Sequence, residues 1–277
     1  MKRTAVVYLL TASAVMARVE DKETIRQSYP YAAKLEVLNV NGSLRVSGYE
    51  GNTVQLVAYK TIDARDAAAL DRARREVRLD VQPGSAVLRI CVDGPWRDCS
   101  DPENSRGRSR HHDSNEYTVK FEFELQVPAS MAASLKTVNG GVSMKGVKGD
   151  FSVHTVNGPV SLEDLMGSGD AHTVNGGVKL AFVQSPPGSI RAKTVNGAID
   201  ATFPRNLNAR RSFKTFNGDV FTNFAATAMA NEASKLEQRD GRTLIRSDRA
   251  FHIRVGGGGP EHSFETLNGT IQIMERQ

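Results

Sequence analysis

Cysteine is nearly missing from this chain, which has only two in 277 residues. Cys91 and Cys99 have no second cysteine pair or regularly spaced histidine beside them, so the sequence predicts no zinc site. In an oxidising compartment the two cysteines can pair across the Asp-Gly-Pro turn that lies between them. We therefore expect a Cys91–Cys99 disulfide that closes a loop.

Aromatic residues are also scarce, at 6% of the chain, and the formal net charge is only +5. Two of those charges belong to Lys2 and Arg3 in a predicted leader, so the mature chain would carry +3 (5 minus 2). The aromatic residues fall mainly at positions that we predict to be buried in strands, which leaves no stacking platform for bases. We predict no nucleic-acid partner.

Motifs that would indicate catalysis are absent from the sequence. It has no nucleophile elbow, zincin motif or phosphate loop, and the run Gly256–Gly259 is followed by Pro260 and not by Lys-Ser or Lys-Thr. Asp150 and Asp170 each follow a glycine and could stack as paired carboxylates, but turn chemistry explains them. We assign no catalytic residue and no cofactor. A lyase or glycosidase on a β-helix scaffold is the alternative function.

What the chain does have is a four-residue phrase, Thr-Val-Asn-Gly or Thr-Phe-Asn-Gly, that occurs five times between Leu135 and Phe224. Its asparagines advance by 18, 18, 21 and 21 residues, which is the signature of a repeat array. Weaker copies lie at Asn39–Gly42 and Thr266–Gly269. The predicted corner residues are Asn139, Gly140, Asn157, Gly158, Asn175, Gly176, Asn196, Gly197, Asn217 and Gly218.

Apolar residues follow each Asn-Gly at every second place, as in Val142 and Met144, which indicates a strand with one buried face. A unit this short cannot bury its own apolar face, so identical units gain most by stacking. We therefore predict an all-β fold with a β-solenoid over residues 135–224, in which the asparagines form an amide ladder and the glycines provide a positive φ.

A meander of successive hairpins is the other interpretation of the same pattern. Asn-Gly between alternating runs is the strongest short-range signal for a two-residue hairpin, and pairing Leu135 with Met144 also places the apolar residues on one face. The solenoid is favoured because the whole unit recurs, including the Thr two places before Asn, and not only the turn.

The amino-terminal residues have the layout of a secretory signal peptide. Lys2 and Arg3 precede an apolar run that ends in Val15-Met16-Ala17, so we predict a leader over residues 1–17 with cleavage after Ala17. The run is too short to span a bilayer, and no later stretch is apolar enough to form a membrane helix. We expect an exported, periplasmic or extracellular protein.

Residues 18–134 read as an amino-terminal β-rich section with one interruption. The composition of Asp63–Glu76 favours a helix capped by Asp63, and residues 100–116 are too polar to be ordered, which predicts a mobile loop. The strict alternation of Tyr117–Val127 predicts a strand that ends at Pro128.

Residues 225–277 interrupt and then resume the repeat. The alanine-rich Ala225–Gln238 suggests a short helix, and Phe264–Ile273 repeats the pattern once more. We expect this last unit to cap the stack. Imperfect caps would leave exposed edges, so self-association is possible.

The passage from the strand Tyr117–Val127 through Pro128 into Leu135–Val142 and its copies resembles the putative-adhesin family of bacterial envelope proteins, also called Toastrack domains. The resemblance extends from about Leu35 to Ile273. It implies a β-solenoid module that lacks an established catalytic activity and is tied to the cell envelope and its stress responses. The family offers no catalytic residues to transfer to this chain.

The residue just before each repeated Thr forms a column of basic character on the predicted outer face. Over residues 135–224 ten Lys or Arg stand against six Asp or Glu, an excess of four (10 minus 6). One interpretation of the column is a solvated outer face without a ligand; the other is a site for an anionic envelope glycan, lipid headgroups or an envelope protein. Its members are Lys136, His154, His172, Lys193 and Lys214.

His154 and His172 are neighbours in that column and could share a transition metal. Two ligands are too few for a site, so we predict no bound metal. The sequence as a whole predicts a non-catalytic module with a structural, adhesive or ligand-binding role at the cell envelope.

Overall fold

The computed structural model describes residues 18–100, 116–228, 235–239, 242–246 and 251–276. The predicted leader and nearly all of the predicted loop 100–116 lie outside the described residues. The described part is all-β apart from one helix, α1 (Ala67–Glu76). Its strands in chain order are β1 (Val19–Pro30), β2 (Lys34–Leu38), β3 (Leu44–Tyr49), β4 (Thr53–Ala64), β5 (Arg78–Gln82), β6 (Val87–Asp93), β7 (Tyr117–Pro128), β8 (Ala132–Lys136), β9 (Val142–Lys145), β10 (Phe151–His154), β11 (Val160–Leu165), β12 (Gly169–His172), β13 (Val178–Phe182), β14 (Ile190–Lys193), β15 (Ile199–Phe203), β16 (Ala209–Asn217), β17 (Val220–Thr222), β18 (Ala226–Ala228), β19 (Lys235–Arg239), β20 (Arg242–Arg246), β21 (Phe251–Val255), β22 (Glu261–Asn268) and β23 (Ile271–Glu275).

These strands form two mixed sheets. The first sheet has the order β1-β4-β7-β3-β9-β11-β13-β15-β23-β17-β20-β19. The second sheet has the order β18-β21-β16-β22-β14-β12-β10-β8-β2-β6-β5. Inward-facing side chains of both sheets form one continuous apolar core. No helix within the described ranges is both long and apolar enough to cross a membrane.

Each repeat contributes one strand to each sheet. In the second sheet β8, β10, β12 and β14 pair in parallel, so that Leu135, Val153, Ala171 and Ala192 stand side by side. In the first sheet β9, β11, β13 and β15 pair in the same way. The two strands that flank a Thr-x-Asn-Gly phrase lie in different sheets and do not pair with each other. The hairpin interpretation would require them to pair.

The weak copy at Asn39–Gly42 is part of the same arrangement. β2 pairs in parallel with β8, and β3 pairs in parallel with β9. Asn41 forms a parallel bridge with Asn139. The stacked units therefore begin within the amino-terminal section, about a hundred residues before the strong repeats.

The last unit does not cap the stack, and the prediction that it would was wrong. β22 pairs with β14 on one side and with β16 on the other, so the unit of β22 and β23 lies between the fourth and fifth strong repeats. Phe264 stands in register with both Ala192 and Phe213, and its ring stacks on that of Phe213 at 5.7 Å. Because β22 pairs in parallel along both of its edges, the carboxy-terminal unit fits between two repeats at this point.

The helix α1 begins later than predicted. Asp63 lies in β4, where it pairs with Glu20 of β1, and the helix is capped by Asp66, whose side chain accepts a hydrogen bond from Ala69 N at 2.8 Å. The predicted helix over Ala225–Gln238 is wrong where the chain is described, because β18 and β19 are strands there. They pair antiparallel with β21 and β20 at the edges of the two sheets.

The predicted disulfide between Cys91 and Cys99 is present. Both cysteines are buried and pack with Leu38 in a small cluster of their own. The bridge lies at the end of β6, beside the first of the stacked units.

Candidate functional site

The asparagines of seven units form one continuous ladder of side-chain amides. Each amide nitrogen donates to the carbonyl oxygen of the asparagine beside it, at distances of 2.7–2.9 Å. At the first unit Asn41 donates instead to Val119 O of β7, at 3.3 Å. The order in the ladder is Asn41, Asn139, Asn157, Asn175, Asn196, Asn268 and Asn217.

The repeated threonine holds each corner to the one before it. Thr173 is buried, and its hydroxyl donates to Gly158 O at 2.8 Å. Thr155 and Thr194 make the same bond to the glycine carbonyls of their own neighbours, also at 2.8 Å. Sequence reasoning missed this role, although the recurrence of Thr and not merely of Asn-Gly was its signal.

The glycines of the phrase are required by close backbone approach. A Cβ on Gly158 would lie 2.4 Å from Gly140 O, and one on Gly197 would lie 2.1 Å from Gly176 O. Gly158 has a φ of +155°, but Gly197 is not among the residues with a positive φ. The predicted need for a positive φ therefore applies to Gly158 but not to Gly197. The close approach of the neighbouring backbone applies to both.

The residue just before the ladder Asn is apolar in all seven units; it is exposed in three of them and half-buried in the other four. Among the described residues five large apolar side chains are exposed, and three of them belong to this file: Val156 at 38%, Leu267 at 47% and Phe216 at 80%. We call this file the apolar ridge. Its members in stacking order are Val40, Val138, Val156, Val174, Val195, Leu267 and Phe216.

The predicted basic column lies beside the apolar ridge on the outer face of the second sheet. Lys136, His154, His172 and Lys193 stand in register on adjacent strands. The fifth member, Lys214, is not next to Lys193, because the inserted strand β22 places Glu265 between them.

Glu265 neutralises part of that column. Its carboxylate lies 3.1 Å from Lys193 Nζ and 3.5 Å from Lys214 Nζ. Burial alone would raise the pKa of Glu265, but the bonds and charges of the two lysines outweigh it and keep the pKa below its ordinary value. Lys136 has no carboxylate partner among the described residues.

The two histidines of the column differ in their surroundings. His154 Nε2 is in hydrogen-bonding contact with Asp170 Oδ2, and this bond lowers the pKa of Asp170. His172 lies with its ring centre 5.7 Å from that of His154. Its pKa is lowered by burial and then by the positive charges of His154 and Lys193. Among the residues that the structure describes, no group of three His, Cys, Asp or Glu is arranged to hold a metal ion.

Asp150 and Asp170 are not stacked on each other. Asp170 stands in register with Ser152 and Arg191, whereas Asp150 accepts a hydrogen bond from Ser168 N at 2.9 Å. The two carboxylates therefore do not stand opposite each other on adjacent strands.

A buried charged group near the end of the stack was missed by sequence reasoning. Arg211 is fully buried, and none of its guanidinium nitrogens has a hydrogen-bond partner among the residues that the structure describes. It lies between the rings of Phe203 and Phe224, at 5.0 and 4.2 Å. Burial lowers its pKa to about 9. The only sign of this burial in the sequence is the alternation of β16, in which Arg211 shares the inward face with Ala209 and Phe213.

His262 stands in register beside Arg211 and is also fully buried. Burial and then the charge of Arg211 lower its pKa to about 4, so the ring is neutral at pH 7. The backbone of Gly188 opposes this shift, although neither ring nitrogen has a partner in hydrogen-bonding geometry within the described ranges. The ring stacks on Phe203 at 5.3 Å.

No family model matches this chain. No curated protein matches it either. Among solved structures it is similar to a putative cell adhesion protein from Clostridium sporogenes, with 11% identity, a TM-score of 0.40, and 94% of this chain and 100% of the other covered. It is also similar to a putative adhesin from Bacteroides fragilis, with 12% identity, a TM-score of 0.38, and 92% and 97% covered. A third, a putative adhesin from Parabacteroides distasonis, has 10% identity, a TM-score of 0.25, and 92% and 97% covered. The second and third of these structures share the description of putative adhesin with the family that the repeated phrase resembles.

Proposed function

We propose that this protein is an exported, non-catalytic binding module that holds an anionic polymer or surface of the cell envelope along its basic column. The observation that carries the proposal is the register of Lys136, His154, His172 and Lys193, which places four basic side chains on adjacent strands of one outer face. Adjacent strands are about 4.8 Å apart, so the column presents closely and regularly spaced contacts for a repeating anion.

The scaffold that we propose is a short β-solenoid of seven units. Two observations support it: parallel register on both sides of each Thr-x-Asn-Gly corner, and the unbroken ladder of asparagine amides. A stack of this kind fixes the spacing of outward side chains, because each unit is bonded to its neighbours through backbone, Thr hydroxyl and Asn amide. A binding face on it needs no folding on contact with its ligand.

Export to the periplasm or the exterior is part of the proposal. The leader-like residues 1–17 support it, and so does the Cys91–Cys99 disulfide, since such bonds persist mainly in oxidising compartments. The same surroundings contain phosphorylated glycans, anionic lipids and envelope proteins, which are the ligand classes that a basic column would meet.

Charge reversal of the column tests the proposal. The triple variant Lys136→Glu, Lys193→Glu and Lys214→Glu should lose retention on anionic envelope material at low salt, and wild-type retention should fall as salt rises. The matched control reverses Lys22, Lys120 and Lys145, which lie on strands of the first sheet and give the same change in net charge. Equal losses in both variants would show a general charge effect, and unchanged retention in the first would end the proposal.

A further inference from the structure

The apolar ridge has no explanation in the folding of the corner. Thr is buried and bonds the neighbouring glycine carbonyl, and Asn bonds the neighbouring Asn, so the residue between them is not needed to close the turn. In three units, at Val156, Leu267 and Phe216, it is exposed, and polar side chains are ordinarily favoured at exposed places. All seven units nevertheless place an apolar residue there.

The ridge is most exposed at one end. Leu267 and Phe216 occupy adjacent units, because β22 pairs with β16, and their exposed fractions of 47% and 80% are the two largest among the large apolar side chains that the structure describes. The other exposed ones outside the ridge, Tyr31 and Tyr59, lie in or beside other strands and carry hydroxyl groups. Two neighbouring exposed apolar side chains thus form the tip of a longer apolar line.

At the unit of Leu267 the polar groups of Asn268 and Gly269 are bonded to the neighbouring corners. Asn268 uses its side-chain nitrogen on Asn196 and its side-chain oxygen for Asn217. Its backbone N–H donates to Val195 O at 2.8 Å, and Gly269 N donates to Asn217 O at 3.0 Å. An edge whose donors and acceptors are satisfied internally can leave water without orphaned polar groups, which is the condition that a lipid environment imposes.

Cationic side chains border the ridge on one side. Lys214 precedes Phe216 by two residues, and its side chain is 63% exposed. Lys193 is one unit further from the tip, beyond Glu265. The residue after the corner glycine is small in two neighbouring units, Ala198 and Thr270, and is Asp219 in the unit of Phe216. Apolar or aromatic side chains next to lysines are the arrangement that binds the interface of an anionic bilayer.

We infer that the tip formed by Phe216 and Leu267 inserts into the interface of an anionic phospholipid bilayer, with Lys214 and Lys193 at the headgroups. The inference rests on the proposed function and names its anionic surface as lipid. Beyond the unit of Phe216 both sheets continue with antiparallel strands, because β21 pairs with β16 and β20 pairs with β17. A second copy of the chain fits less well, because two side chains bury far less than the about 800 Å² per partner of a stable interface.

Vesicle co-sedimentation tests the inference, using phosphatidylcholine vesicles with and without phosphatidylglycerol. Wild type should sediment with the anionic vesicles, and the double variant Phe216→Ser and Leu267→Ser should bind them at least about tenfold more weakly, because it loses the apolar contact. The matched control, Tyr31→Ser with Tyr59→Ser, removes exposed aromatic area elsewhere and should bind as wild type does. Thermal unfolding of each variant shows whether it is folded.

Fluorescence gives a readout that does not depend on affinity. The chain has one tryptophan, Trp96, so Phe216→Trp adds a second at the tip. Its emission should shift to shorter wavelength on adding anionic vesicles, while the emission of wild type should not. A shift equal to that of wild type would contradict insertion.

The outcomes separate the inference from the proposed function. Binding that falls with the lysine reversals but not with Phe216→Ser and Leu267→Ser overturns insertion and retains a basic binding face. Retention on soluble anionic glycan without vesicle binding does the same. A dimer in sedimentation analysis that the double variant abolishes, without vesicle binding, assigns the tip to a second copy and overturns the inference. If the wild-type protein binds no anionic material of any kind, both the inference and the proposed function are overturned.

Discussion

The side-chain nitrogen of Asn217 donates to the side-chain oxygen of Asn268 at 2.7 Å, across 51 residues of sequence. The bond continues the amide ladder, because Asn268 in turn donates to Asn196 at 2.8 Å. The carboxy-terminal unit therefore repeats the contacts of its neighbours although it comes from a distant part of the chain. The ladder order is set by register and not by order along the sequence.

Removing one amide from the middle of the ladder should cost more than removing one from its end. Asn175 bonds both Asn157 and Asn196 at 2.9 Å, whereas Asn217 bonds only Asn268 in the ladder. We expect Asn175→Ala to lower the free energy of unfolding by about 1–2 kcal/mol and Asn217→Ala by about half as much. Chemical denaturation measures both. Equal losses would contradict additive contributions from a continuous ladder.

The buried threonine hydroxyl gives a second prediction. Thr173→Val keeps the side-chain shape but leaves Gly158 O without its 2.8 Å hydrogen bond, so the free energy of unfolding should fall by about 1 kcal/mol or more. Thr173→Ser retains the hydroxyl and should lose less, despite the missing methyl group. Denaturation curves of the two variants decide between them. A valine variant as stable as wild type would mean that water replaces the bond.

The repeated phrase was enough to predict the strands and the buried column of Leu135, Val153, Ala171 and Ala192. Both follow from local features, namely period-two alternation and the residue types of the corner. The position of the last unit was not predictable, since any order of identical units satisfies the same parallel register. The sequence therefore did not predict that Glu265, which is far from Lys193 along the chain, lies within the basic column. β1 was missed because Val19–Pro30 is mostly polar and owes its strand form to pairing with β4.

Glu265 should limit the affinity of the basic column for anions. Glu265→Gln removes the carboxylate that lies 3.1 Å from Lys193 Nζ and 3.5 Å from Lys214 Nζ. We expect stronger retention on anionic envelope material and a slightly lower stability, because the two lysines then repel each other. Glu163→Gln, which affects Lys179 on the first sheet, is the control. Retention that does not rise would show that the two lysines do not contact the ligand.

Arg211 should be a destabilising residue. Its guanidinium is fully buried and has no hydrogen-bond partner in the described part of the chain, and its contacts with Phe203 and Phe224 offset only part of the desolvation cost. We expect Arg211→Met to raise the free energy of unfolding by about 1–3 kcal/mol. Arg210→Met alters the exposed neighbour and should change it by less than about 0.5 kcal/mol. A loss of stability in Arg211→Met would show that the charge has a compensating partner.

His262 should make the fold sensitive to acid. Burial and then the charge of Arg211 lower its pKa from 6.5 to about 4 in the folded state. The unfolded chain therefore binds more protons between these pH values, and stability falls as pH decreases from about 6.5 towards 4. His262→Leu should flatten the dependence of the unfolding free energy on pH by up to about 3 kcal/mol over that range.

The lowered pKa of Asp170 makes stability fall further near and below its ordinary value of 3.8, so the His262→Leu variant should still lose stability in that more acidic range. His172→Gln is the control, because His172 is partly exposed and should contribute less. Denaturation at a series of pH values gives the slopes. A His262→Leu variant with the wild-type slope would mean that the ring finds a proton acceptor when it is charged, and the buried pair with Arg211 would then not govern acid unfolding.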